Sequence, residues 1–230
     1  MGDKVFRAFD PSELGPESII GGEGRLSVNA IPAYFNRFSN LVLPPRPETV
    51  ESFRSAASGR PLIIEVGAGK GRFITSVASS RPDAICLGFE TGLSLCGACL
   101  DRASRKGLGN VFMAWGDARR TIPMLVDPGT AVAAYLLFPD PWWKKKHASR
   151  RHGPLMGNTI ADALAPGAAL VVKSDVEPYL HEIVAAFLST GRYESMDPVD
   201  AGAGTMPDTD REARLRASGN PVFTAALMRS

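Results

Sequence analysis

Three cysteines in 230 residues are too few for a disulfide framework. Cys96 and Cys99 have the C-x-x-C spacing of a zinc or redox pair, but no second pair follows, and Cys86 falls inside an apolar run. All three read as packing residues. The three histidines, His147, His152 and His181, match no metal-ligand spacing, so no metal is expected. Long apolar runs are missing as well: none would cross a bilayer without meeting a charge or a proline. The start, Met1-Gly2-Asp3-Lys4-Val5-Phe6, has no signal-peptide core, and Phe6 stands where a myristoylation signal wants Ser or Thr. A cytoplasmic protein is expected. Neither sign of charge is in excess, since 26 Lys+Arg against 24 Asp+Glu leave only +2. Net charge therefore announces no polyanionic partner; only local clustering can. No internal repeat and no obligate apolar stripe stands out, which makes a monomer the expectation.

What is present begins with Pro61-Leu62-Ile63-Ile64-Glu65-Val66, a β-branched run opening into Gly67-Ala68-Gly69-Lys70-Gly71-Arg72-Phe73. A helical pattern follows, with Phe73, Ile74, Val77 and Ala78 on one face. Strand, glycine turn and helix together make a ligand cradle, because Gly67 and Gly69 permit a tight turn and the helix start offers unpaired N–H groups. Lys70 is followed by Gly71 rather than Ser or Thr, which argues against a triphosphate loop. The third glycine comes one residue early for the dinucleotide fingerprint. Glu65, just before the turn, would repel a pyrophosphate but suits a cofactor that is cationic there. S-adenosylmethionine, with its sulfonium and ammonium, fits. Glu90 closes a second predicted strand about 20 residues on, where a carboxylate grips ribose hydroxyls. A third strand, Asn110 to Trp115, ends in Gly116-Asp117-Ala118, where a carboxylate can accept from an adenine amino group.

A second cluster is Phe138-Pro139-Asp140-Pro141-Trp142-Trp143-Lys144-Lys145-Lys146-His147, with Arg150-Arg151-His152 close behind. The apolar run from Ala131 reads as a buried strand, and the prolines predict extended backbone at Phe138 and Asp140. Asp140 then projects from a strand end beside indoles and cations. Cations for phosphates and flat faces for bases are what a nucleic-acid groove needs. By itself such a run is also the pattern of a solvated basic loop.

Residues 1–58 are poor in periodicity and punctuated by Gly21-Gly22-Glu23-Gly24 and Leu43-Pro44-Pro45-Arg46-Pro47. They are expected to form an N-terminal arm, either covering the sheet or extending a nucleic-acid surface through Arg25, Arg37 and Arg46. Residues 59–230 alternate strand and helix at α/β spacing. A helix is expected over Pro154 to Leu164, a fifth strand over Ala168 to Val172, and a helix over Glu177 to Leu188. Tyr193 to Met196 and Pro221 to Met228 are expected as an antiparallel end. Ligands of such sheets collect beyond the carboxyl ends of the strands, so Glu65, Glu90, Asp117, Asp140 and Asp175 should share one rim.

With these residues in place, the chain resembles the bacterial tRNA (guanine-N7-)-methyltransferase family over roughly residues 60 to 228. The most specific element is Phe138-Pro139-Asp140-Pro141-Trp142 with Lys144, Lys145, His147, Arg150 and Arg151. The resemblance implies an α/β, Rossmann-like fold with a mostly parallel sheet, an antiparallel C-terminal strand and a short N-terminal arm. It also implies S-adenosylmethionine as cofactor, tRNA as partner, and methyl transfer to N7 of a guanine in the tRNA variable loop. By position, Glu65, Glu90, Asp117 and Asp140 match the family's cofactor acids, joined here by Gly67, Gly69 and Ala118. Asp140 also matches the proposed catalytic residue. Lys144 and Asp175 match substrate contacts, and Thr209-Asp210-Arg211-Glu212 resembles the Thr-x-x-Glu substrate motif, giving Thr209 and Glu212. Trp142, Arg150 and Arg151 would complete the RNA surface, with Trp142 or Trp143 stacking on the target base. Three positions depart from the family pattern: Trp143 replaces a proline, Ser174 a threonine, and Arg211 an aromatic.

Two other readings are open at this point. One keeps the chemistry and moves it to another RNA or to a small nitrogen heterocycle. The other is an RNA-binding subunit that kept the fold and lost catalysis.

Overall fold

Leu62-Ile63-Ile64-Glu65-Val66 becomes a central strand because its side chains are buried on both faces. The structure is a computed structural model that describes residues 40–42, 47–141 and 152–230. In chain order the elements are β1 (Leu41–Val42), α1 (Pro47–Ala57), β2 (Leu62–Val66), α2 (Arg72–Ser80), β3 (Ile85–Glu90), α3 (Leu93–Arg105) and β4 (Val111–Trp115). Then come α4 (Ala118–Leu125), β5 (Ala131–Leu137), α5 (Pro154–Ala163), β6 (Leu164–Ser174) and α6 (Glu177–Leu188). The chain closes with β7 (Tyr193–Met196), α7 (Asp210–Ala217) and β8 (Phe223–Arg229).

Among the described residues the strands form one sheet in the order β1-β4-β3-β2-β5-β6-β8-β7. From β1 to β6 all pairings are parallel; β8 runs antiparallel between β6 and β7. The chain winds one way from β2 to β4 and the other way from β5 to β6. The β2–β5 junction is therefore the switch point, where a crevice opens beyond the carboxyl ends.

Period-two alternation sorts the core onto the two faces. Leu62, Ile64 and Val66 pack with Phe53 of α1 and with α4, α5 and α6. Ile63 packs with Phe73, Ile74 and Val77 of α2 and with Cys96 and Cys99 of α3. Glu65 has the parity of Ile63, so it points to the α2–α3 side. The three thiols are free and buried. Burial pushes Cys86 and Cys99 up to about 12, leaving them packing groups rather than nucleophiles.

Two details differ from the sequence reading. The sheet already begins at Leu41–Val42, paired to β4, and Phe53 of α1 is fully buried. The fifth strand starts four residues earlier than expected. It carries an irregularity in its pairing with β5, where Ala131↔Leu164 is followed by Ala133↔Ala169. Pro166 and Gly167 (φ 79°) sit in that interruption, where a missing N–H and a left-handed residue are tolerated.

Candidate active site

Because β2 to β6 are parallel, their carboxyl ends form one rim, and Glu65, Glu90, Asp117, Asp140 and Asp175 all stand there. Gly67 (φ 78°) and Gly69 (φ 54°) turn the chain out of β2 with open space on the side where a Cβ would stand. Gly71 (φ 73°) has the opposite surroundings, since a Cβ there would lie 2.1 Å from Cys99 Sγ. The start of α2 is thus held against α3 by close packing.

Glu65 is 2% exposed, and its carboxylate accepts the Ile74 N–H. Its Oε2 is buried with no partner among the described residues. Burial first, and neighbouring Glu90 second, push the carboxyl up to about 8. Glu90 ties the turn from below: Oε2 accepts the Gly69 N–H at 3.0 Å, and Oε1 accepts the Gly92 N–H at 2.8 Å. Asp117 caps α4 by accepting the Arg119 N–H, and the Arg119 guanidinium also donates to it. Burial would raise its pKa, but the bonds from Arg119 outweigh burial and hold the carboxyl below its ordinary value. Ala118 is the buried first residue of that helix.

Asp140 is exposed and follows a turn that the proline rule missed. Phe138 is not extended but left-handed, φ 53°, the one non-glycine with positive φ among the described residues. Proline favours an extended predecessor, so this conformation runs against the local preference. The Phe138 N–H donates to the Lys173 carbonyl at 2.7 Å, the last rung of the β5–β6 pairing, and the chain turns away from the sheet after it. Strain of this kind collects at functional sites.

A cavity of about 710 Å³ opens between the glycine turn and α7. Glu65, Gly67, Gly69 and Phe138 line one side; Thr209, Arg211 and Arg214 line the other. Glu90, Asp117, Asp140 and Asp175 stand outside this lining, so the rim acids are not one cluster. Thr209 caps α7, its hydroxyl accepting the Glu212 N–H at 2.9 Å. Glu212 is fully buried, and its carboxylate faces Lys173 rather than the cavity. Asp175 accepts from Arg211 at 2.6 Å, so the arginine that departs from the family pattern finds a partner in β6's next residue. Trp142, Lys144, Arg150 and Arg151 lie outside the described residues, as do Trp143, Lys145, Lys146, His147, Gly24 to Ser27, Arg37 and Arg46.

Sequence reasoning passed over Lys173, and over Arg72 and Arg102, which meet Asp210 of α7 at 3.8 and 3.4 Å. For Lys173 a signal existed: a lysine ending an apolar strand must be snorkelling or paired. Among the described residues no group of His, Cys, Asp and Glu could hold a metal ion, and no helix is long and apolar enough to cross a membrane.

Comparison with known proteins bears on this geometry. Residues 59–225 match a family model described as a putative methyltransferase. A tRNA (guanine-N(7)-)-methyltransferase of Anaeromyxobacter dehalogenans is 33% identical over 77% of this chain and 90% of its own. One from Myxococcus xanthus is 32% identical over 74% of this chain and 84% of its own. Among solved structures, the 16S rRNA methyltransferase KamB superposes with a TM-score of 0.58 at 19% identity, covering 82% of this chain and 99% of that one. That likeness speaks for the fold alone. The relatives in sequence, matched over most of their length, speak for more: the chain belongs to the tRNA (guanine-N(7)-)-methyltransferase family.

Proposed function

We propose that this protein transfers a methyl group from S-adenosylmethionine to N7 of a guanine in the variable loop of tRNA. What carries this reading, beyond membership of the family, is the cavity. Its floor is a buried acid with an oxygen unpartnered among the described residues, beneath an open glycine turn, and its far wall carries arginines. An orphaned buried oxygen is costly to the free protein and is satisfied by a cationic ligand, so the residues present fit the cofactor. When bound, S-adenosylmethionine supplies an activated methyl group on a sulfonium.

The rest falls to the chain. Glu65 meets the cofactor's positive charge, and Gly67 and Gly69 let backbone approach closely. Glu90 keeps acceptor capacity for ribose hydroxyls, since a carboxylate offers about four lone-pair sites. Asp117 and Ala118 border the adenine. Guanine N7 has an in-plane lone pair and no proton, so the chain needs no general base there. Its task is to align that lone pair at near-attack distance. The guanine turns cationic as the methyl arrives, and Asp140, exposed beside the Phe138 turn, either stabilises that charge or holds the base by its N–H edge. Trp142 would stack on the base, and Lys144, Arg150 and Arg151 would hold phosphates. Thr209 and Asp175 shape the substrate side, and Glu212 acts from beneath it. Residues 59–230 would be the methyltransferase domain of a cytoplasmic enzyme, with β1 and α1 joined to its sheet and core.

Transfer of labelled methyl to unmodified tRNA transcripts, with the product nucleoside identified by mass, tests this. Label should appear as 7-methylguanosine in the variable loop. Asp140→Ala should lower kcat on the order of 100-fold. Label on another nucleoside, or near-normal turnover by the mutant, would sink the assignment.

A further inference from the structure

Helix α7 forms the far wall of the cavity, yet among its residues only Glu212 is buried. A helix of a globular protein ordinarily docks by an apolar stripe. Here the one buried tie is an ion pair: Lys173 Nζ lies 2.9 and 3.1 Å from the two Glu212 oxygens, both side chains are almost fully buried, and Arg216 of the same helix donates to Glu212 Oε1 at 2.8 Å from the exposed side. The other attachments of α7 are more exposed, Asp210 to Arg72 and Arg102, and Arg211 to Asp175. The main chain of Lys173 is engaged as well: its carbonyl accepts the Phe138 N–H at 2.7 Å, the last rung between β6 and β5 before the turn that leads to Asp140. One residue thereby joins the Asp140 turn through its main chain to α7 through its side chain. It is absent from the cavity lining, so it touches no ligand there.

We infer that Lys173 is a positioning residue: through Glu212 it sets where α7 stands relative to the Asp140 turn, and hence the fit of the RNA substrate. A buried ion pair is a poor device for stability alone, because desolvation offsets the attraction and matched apolar residues do as well or better. What the pair adds is direction, since Nζ reaches both oxygens in one geometry.

The kinetic arm of the test rests on the proposed tRNA activity; the exchange arm does not. Lys173→Met leaves a buried carboxylate without its lysine and should destabilise. Lys173→Met/Glu212→Leu replaces the pair by apolar groups and should recover the thermal midpoint. In that double variant KM for tRNA should stay raised roughly tenfold, with cofactor affinity by calorimetry within about twofold, because a small displacement of a positioning element is enough. Lys173→Arg should rescue part of the loss. Amide exchange should quicken across 210–217 in the double variant while 62–66 and 85–90 stay protected. Recovery of wild-type KM and kcat by the double variant would overturn the inference, as would unchanged exchange in α7. If the wild type methylates no tRNA, the proposed function fails and the exchange result still decides the role of Lys173.

Discussion

Where β2, α2 and α3 wall the cavity, Phe73, Ile74, Cys96 and Cys99 are buried and backbone positions are set by packing; on the opposite side α7 buries Glu212 alone. The first wall keeps one charge-bearing group unsatisfied, Glu65, whose Oε2 has no partner among the described residues. The second wall leaves little to chance in charge: Asp210, Arg211, Glu212 and Arg216 all sit in ion pairs. A rigid apolar frame can hold an orphaned acid for a ligand to satisfy, because the frame is stable without it. A helix docked by charge has no such reserve, and its position depends on every partner and on salt. On the proposed function, cofactor and RNA would thus meet at a seam between a packed half and an electrostatic half.

The contrast is broken most strongly at Glu65. Glu65→Gln removes the charge but keeps the shape, and should weaken S-adenosylmethionine binding by about 2–3 kcal/mol, on the order of 100-fold, as expected for a buried charged contact. RNA affinity measured without cofactor should not move. Calorimetric titration with S-adenosylmethionine decides it, and unchanged affinity would remove Glu65 from the cofactor site.

Titration sharpens the same point with a smaller effect. The folded pKa of Glu65, about 8, lies above its ordinary 4.5, so the fold favours the protonated acid. That contribution to stability is complete below about 4.5 and is lost as pH rises through about 8. A bound cation favours the carboxylate instead. Cofactor binding should therefore release close to one proton near neutral pH, and affinity should rise by up to about tenfold per pH unit until pH 8, then level off. Calorimetry in buffers of different ionisation enthalpy measures the proton, and Glu65→Gln should abolish its release. A wild type that releases no more than the mutant would contradict the assignment.

The packed half was legible in the sequence and the electrostatic half was not. Leu62 to Val66, the glycine turn and Phe73, Ile74 and Val77 carry periods of two and 3.6, and periodicity is what burial writes into a sequence. The acids at the strand ends followed, because parallel strands put their carboxyl ends on one rim. Helix α7 writes no such pattern. Its sequence, Asp-Arg-Glu-Ala-Arg-Leu-Arg-Ala, reads as a solvated segment, and nothing local says that Glu212 turns inward to a lysine 39 positions earlier. The Phe138 turn was misread for a related reason. A local proline rule addressed it, while the turn falls where β5 leaves the sheet after its last rung to Lys173, a tertiary feature the rule does not see.

At the outer edge of α7 the expected effect is the smallest, and its size is itself informative. Arg211 is about half exposed and meets Asp175, itself one-fifth exposed, at 2.6 Å. Pairs exposed to this degree contribute at most about 1 kcal/mol, so Arg211→Ala should lower the thermal midpoint by no more than about 2–4 °C. If α7 is steered by its whole set of ion pairs, the mutant should still raise KM for tRNA about two- to threefold at low salt. That difference should disappear at high salt, where screening has already removed the pair from the wild type. A direct Arg211–phosphate contact would fade at high salt as well, because counterion release makes it salt-dependent. Asp175→Asn separates the two cases, because it breaks the pair while leaving the Arg211 guanidinium free to bind phosphate. Loss with Arg211→Ala but not with Asp175→Asn would give Arg211 to the substrate, whereas equal loss from both keeps it among the ties that hold the helix.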